Sequence, residues 1–134
     1  MSTVHRGSCL CGGVRYEYSG EFGQFVYCHC SKCRKAQGSA FASNAPVEEA
    51  KFHLLQGSEL LKAYASSPGK QRVFCGNCGS PIYSRADALP GVLRLRLGTL
   101  DTPVGKKPQA HIFAASRAEW YDILDGLPQH AERP

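Results

Sequence analysis

No apolar run in the 134-residue sequence approaches the roughly 20 residues needed to cross a bilayer. That absence excludes a membrane-spanning helix. Met1 to Ser8 lacks the apolar centre of a secretory signal, so the expectation is a cytoplasmic protein. Internal repeats, low-complexity tracts and linkers are also missing, and no domain boundary is marked. The length suits one hydrophobic core, which gives residues 1–134 as a single domain. Only 20% of residues are charged while 43% are hydrophobic, a balance that excludes a disordered chain. With 14 Gly and 8 Pro, turns are frequent, and short strands are favoured over long helices.

The seven cysteines are the feature present in excess. An odd number strains a disulfide framework, and in a reducing compartment closely spaced cysteines serve as metal ligands or redox groups. The formal charge of +5 has the sign of a nucleic-acid binder. Were the seven thiolates to hold two divalent metal ions, it would fall to about +2, so bulk basicity argues poorly for nucleic acid.

Strand signals fall at Val14 to Tyr18, Phe25 to Tyr27, Phe41 to Asn44 and Phe52 to Leu55, short runs rich in aromatic and β-branched residues. The clearest is Val92 to Leu97, with Leu93, Leu95 and Leu97 on a buried face and Arg94 and Arg96 on an exposed one. Arg34 to Gln37 can make a helical turn before Gly38. A C-terminal helix is expected over Ser116 to Leu124. Ser116 and Glu119 have capping-box spacing, Gly126 and Pro128 stop the helix, and Trp120, Ile123 and Leu124 form a stripe to pack on the sheet.

The cysteines divide by spacing. Cys9-Leu10-Cys11 and Cys75-Gly76-Asn77-Cys78 together supply four sulfurs, enough to close a tetrahedral zinc shell. Gly12-Gly13 and Gly79 follow the pairs where the backbone must turn tightly. A thioredoxin-like role for Cys75 and Cys78 needs a βαβ context that the sequence does not suggest. Cys28-His29-Cys30-Ser31-Lys32-Cys33 packs three thiols into six residues with no fourth. An incomplete shell is what catalytic zinc needs, because it leaves room for water or substrate. His29, His53 or His111 could instead complete that shell, or His29 could shape its surroundings. Lys32, Arg34 and Lys35 form either a solvated basic face or a seat for an anionic substrate.

With those residues in view, the chain resembles the glutathione-dependent formaldehyde-activating (Gfa) family, which shares its domain with centromere protein V. The matching segments are Gly7 to Val14, Cys28 to Lys35 with Gly38 to Phe41, Phe74 to Ser80, and His111-Ile112-Phe113 followed by Ser116, Trp120 and Asp125 to Pro128. The resemblance implies a β-tent fold of antiparallel sheets. It also implies structural zinc at Cys9, Cys11, Cys75 and Cys78, and catalytic zinc at Cys28, Cys30 and Cys33. The implied activity is a carbon-sulfur lyase run in the direction of addition, joining glutathione to formaldehyde as S-hydroxymethylglutathione. Lys32, Arg34, Lys35 and Arg72 are the candidates to meet the carboxylates of glutathione or a similar thiol. The alternative is a non-catalytic zinc module for a protein or nucleic-acid partner. A homodimer is compatible with either reading.

Overall fold

The computed structural model describes residues 3–134. Met1 and Ser2, the start of the segment read as lacking a signal centre, lie outside the described residues. The protein is mainly β. Its strands are β1 (Val4–Ser8), β2 (Arg15–Ser19), β3 (Val26–Cys28), β4 (Ala42–Glu48), β5 (Phe52–Gln56), β6 (Leu61–Ser67), β7 (Lys70–Cys75), β8 (Pro81–Ala86), β9 (Val92–Arg96) and β10 (Ala110–Ile112). Among the described residues the one α-helix is α1 (Ser31–Gln37). None is long and apolar enough to span a membrane.

Two sheets result, a three-stranded one in the order β1-β2-β5 and a seven-stranded one in the order β10-β3-β4-β9-β8-β7-β6. All pairings are antiparallel except β10 with β3. The sheets pack over one apolar cluster. Val14, Tyr16 and Tyr18 enter it from the small sheet, Ala45, Val47, Ile82, Leu93 and Leu95 from the large one. Strand side chains alternate between faces, and the register shows what the other face holds. Ala45 lies opposite Leu95 and Val47 opposite Leu93, so Asn44, opposite Arg96, and Pro46, opposite Arg94, point the other way. Arg94, Ser84 and Arg72 then align in one row across β9, β8 and β7.

That second face corrects the expectation for β9. Leu93 and Leu95 are buried as predicted, but Arg96 is only 4% exposed and Arg94 is half-buried. The reason is that the Cys28–Cys33 segment meets this side of the sheet, where Arg72 and Asn44 reach Cys33 Sγ and Arg96 bonds Asn44. Leu97 leaves the strand in a 3-10 turn, Leu97–Thr99.

The expected C-terminal helix is also absent. A 3-10 turn covers Ala114–Ser116, and irregular chain follows in which Trp120 is 66% and Leu124 89% exposed. A helix of that length is marginal unless its apolar stripe is buried, and here the chain folds back along β10. The His111 amide donates to the Pro128 carbonyl, the His130 amide to His111, and the Phe113 amide to Glu132. The short α1 begins three residues earlier than the expected turn. The Cys30 side chain caps it by accepting from the Cys33 amide, and Gly38 ends it at φ 61°, a left-handed value that suits glycine.

Candidate metal centres

The first cysteine cluster joins the two sheets. Cys9 and Cys11 sit in the turn from β1 to β2, Cys75 ends β7, and Cys78 follows in the turn to β8. All four sulfurs lie within 4.8 Å of one another. Cys9 Sγ is 3.5 Å from Cys11 Sγ, which is 3.9 Å from Cys75 Sγ. Zinc–sulfur arms of about 2.3 Å in a tetrahedron set sulfurs roughly 3.8 Å apart, so the donor set and its spacing fit a closed zinc site. The two knuckles also brace each other. The Leu10 amide donates to Ser80 Oγ at 2.9 Å, and the Val14 amide to Cys9 Sγ at 3.2 Å. The Ser80 hydroxyl, then the Ser80 and Cys11 amides, bring the Cys78 thiol down to about 5. The Asn77 side chain, then the Gly13 amide, lowers Cys11. Gly12 and Gly79 adopt φ 76° and 83°, the positive values the tight turns were expected to require.

The second cluster forms where β3 runs into α1. Cys28, Cys30 and Cys33 have sulfurs within 4.8 Å of each other, and no other His, Cys, Asp or Glu among the described residues joins the group. Three soft donors converging at this distance suit zinc with a position to spare. The neighbouring Cys28 and Cys30 thiols, then the Arg72 guanidinium, hold the Cys33 thiol far below its ordinary range. Hydrogen bonding to Cys30 and Cys33, then burial, pushes Cys28 up. Cys33 is the sulfur that faces the cation.

Arg72 Nε donates to Ser66 Oγ at 3.0 Å, which turns Nη1 and Nη2 toward Cys33 Sγ at 3.8 and 3.9 Å. Asn44 Nδ2 reaches the same sulfur at 4.0 Å, and its Oδ1 accepts from Arg96 Nη1. Burial, then Arg72 and Arg94, lowers Arg96 to about 10 against the attraction of Cys33 and Cys28. Above the cluster opens a cavity of about 440 Å³. Lys32 and Arg72 line it, and Lys70, Arg94 and Arg133 join them. Arg34 and Lys35 do not. Arg34 is half-buried and Lys35 exposed on α1. Sequence reading missed Lys70, Arg94 and Arg133 because strand register places the first two there and the folded-back C-terminal segment places the third.

The histidines considered as a fourth ligand lie elsewhere. His53 is exposed on β5 in the small sheet. His29 and His111 are both fully buried and bonded to each other, His29 Nε2 to His111 Nδ1 at 2.8 Å. His111 Nε2 in turn meets Asp125 Oδ2 at 2.7 Å. The Leu127 amide, then His111, holds the Asp125 carboxyl below its usual range, and burial, then His111, lowers His29. The carboxylate accepts from His111 Nε2–H, so a neutral His111 offers Nδ1 as acceptor and His29 donates through Nε2. The chain of three ties the Cys28–Cys30 segment to the C-terminal strap. Nothing local in the sequence marks it, since 82 residues separate His29 from His111.

An uncharacterized lyase of Schizosaccharomyces pombe is 30% identical over 79 residues, covering 59% of this chain and 56% of that protein. The match thus spans little more than half the length of that relative. The crystal structure of a Rhodobacter sphaeroides protein superposes with a TM-score of 0.64 at 24% identity, over 77% of this chain and 97% of the other, a likeness of fold. The family model for glutathione-dependent formaldehyde-activating enzymes matches residues 4–116. With that match over most of its length and both cysteine clusters assembled, the chain belongs to the glutathione-dependent formaldehyde-activating enzyme family.

Proposed function

We propose that the protein is a zinc-dependent carbon-sulfur lyase-type enzyme that adds glutathione, or a thiol like it, to formaldehyde or a related aldehyde. The observation that carries this reading is the three-sulfur cluster at the base of a cation-lined cavity. Zinc held by Cys28, Cys30 and Cys33 would lower the pKa of a thiol entering beside them. Cys9, Cys11, Cys75 and Cys78 would hold the second, structural zinc.

The chain's own residues do the rest. Lys32, Lys70, Arg94 and Arg133 line the cavity and would take the carboxylates of an anionic thiol, and charge-assisted contacts of this kind orient as well as bind. Orientation makes the encounter effectively intramolecular. The thiolate sulfur donates a pair to the carbonyl carbon, the C=O π pair moves to oxygen, and water protonates that oxygen. The product is S-hydroxymethylglutathione when the aldehyde is formaldehyde.

Zinc stoichiometry, glutathione titration and NMR exchange spectroscopy of the glutathione–formaldehyde equilibrium test the proposal. Two zincs per chain, saturable glutathione binding that Cys30→Ser abolishes, and faster exchange are expected. Two zincs with neither binding nor acceleration would turn the reading to another thiol and electrophile or to the non-catalytic zinc module.

A further inference from the structure

The cavity over Cys28, Cys30 and Cys33 is asymmetric in charge along its depth. Its lining contains Lys32, Lys70, Arg72, Arg94 and Arg133 and no Asp or Glu. An adjoining outer hollow shares Lys70, Arg94 and Arg133 and adds Asp87. The outer end therefore offers both signs, which suits a thiol carrying an α-amino carboxylate. The inner end offers cations alone.

Two buried cations meet at the base of this cavity, Arg72 on its lining and Arg96 behind it through Asn44, and both are costly where they stand. Arg72 is 9% and Arg96 4% exposed, and among the described residues neither forms an ion pair with a carboxylate. Their partners are Ser66, Asn44 and the sulfur of Cys33. Burying a cation is unfavourable unless an anion compensates it. Three thiolates and one Zn2+ leave a single net negative charge to set against two guanidiniums. Arg72 also presents its fork badly matched to its neighbour. Both Nη atoms approach one sulfur at 3.8 and 3.9 Å, whereas a fork is shaped for the two oxygens of a carboxylate.

We propose that the inner end of this cavity seats a carboxylate on the electrophile itself, so that the preferred partner of the thiol is an aldehyde bearing an adjacent carboxylate, held by Arg72. This rests on the thiol-addition reading above. The carboxylate engages Nη1 and Nη2, which places the carbonyl carbon beside the cysteine cluster. The sulfur of the thiol forms the new C–S bond, the carbonyl oxygen takes a proton from water, and the thiol proton goes to solvent. No oxidant or reductant is consumed.

The test compares two aldehydes on the zinc-loaded protein with glutathione held constant, formaldehyde as the uncharged one and glyoxylate as the carboxylated one. NMR exchange rates, each relative to the uncatalysed rate, are expected to be about tenfold more accelerated for glyoxylate, as one charge-assisted bidentate contact warrants. Arg72→Lys is expected to erase that ratio. A second measurement needs no substitution. Glycolate, which carries the carboxylate without an electrophilic carbon, should shift the 15N resonance of Arg72 Nε, and ethylene glycol should not.

Acceleration of formaldehyde exchange with no preference for glyoxylate and no glycolate shift would overturn this inference and leave thiol addition standing. A glycolate shift at Arg72 with no acceleration of either aldehyde would keep the carboxylate seat and remove the thiol-addition reading.

Discussion

Tyr16 shows how far a single buried group couples the fold to its surroundings. Its ring is fully buried, its hydroxyl lies 2.6 Å from Thr99 Oγ1, and burial raises its pKa to about 12. The unfolded chain deprotonates first, near the ordinary value of about 10, so the unfolded state binds fewer protons between the two values and stability falls as pH rises through them. A loss on the order of 2–3 kcal/mol is expected by pH 12. Urea unfolding at pH 8, 10 and 11.5 should show the decline, and Tyr16→Phe should flatten it. His111 makes a different prediction, because it is fully buried between two partners. His111→Phe leaves the His29 donor without an acceptor and should destabilise by about 1–3 kcal/mol. The 15N imidazole spectrum of the wild-type protein should show both rings protonated at Nε2. A different tautomer on either ring would contradict the order of donors along this chain.

At the scale of elements, β9 and the C-terminal strap separate packing from pattern. Leu95 is fully buried at the centre of the core, and Leu95→Ala should lower stability by about 2–5 kcal/mol. Trp120→Ala should change it by no more than about 0.5 kcal/mol, since the ring is 66% exposed. Thermal unfolding of both variants checks the contrast, and a large Trp120 effect would restore the packed helix. The sequence was most readable where period and spacing are local. The strand signals at Val14, Phe25, Phe41 and Phe52 correspond to β2 through β5, with ends that differ by one residue at most except that β4 runs on to Glu48. Strands β6 and β7 escaped notice because Leu61 to Ser67 is mostly exposed and Lys70 to Cys75 mixes cations with apolar residues. The arginines of β9 were read as solvent-facing because alternation reveals two faces without saying what covers the second.

Over the whole molecule, the four-cysteine cluster ties the two sheets together, alongside the Leu10 amide bond to Ser80 Oγ, the bridge from Gly7 to Leu100 and the Ser8 Oγ bond to Asp101 Oδ2 at 2.7 Å. Metal binding at such a site contributes folding free energy. Chelation should therefore lower the thermal midpoint, and amide exchange should quicken in β1, β2 and β5 before it does in β8 and β9. Uniform quickening across both sheets would argue that the core alone sets their cohesion. Both cysteine clusters could be drawn from spacing, because ligand spacing is written along the chain. The cationic cavity could not, because it is written across strands.

The separation of His29 from His111 and Asp125 also bears on how the chain is made. Ribosomes add about 5–20 residues per second, so the 82 residues between His29 and His111 represent roughly 4–16 seconds of synthesis. Throughout that interval β3 has no β10 to pair with, and the three thiols of the Cys28 cluster stand in the open. Cys9 and Cys11 wait in the same way for Cys75 and Cys78. The nascent chain thus carries each group of sulfurs before the segments that enclose it have been made.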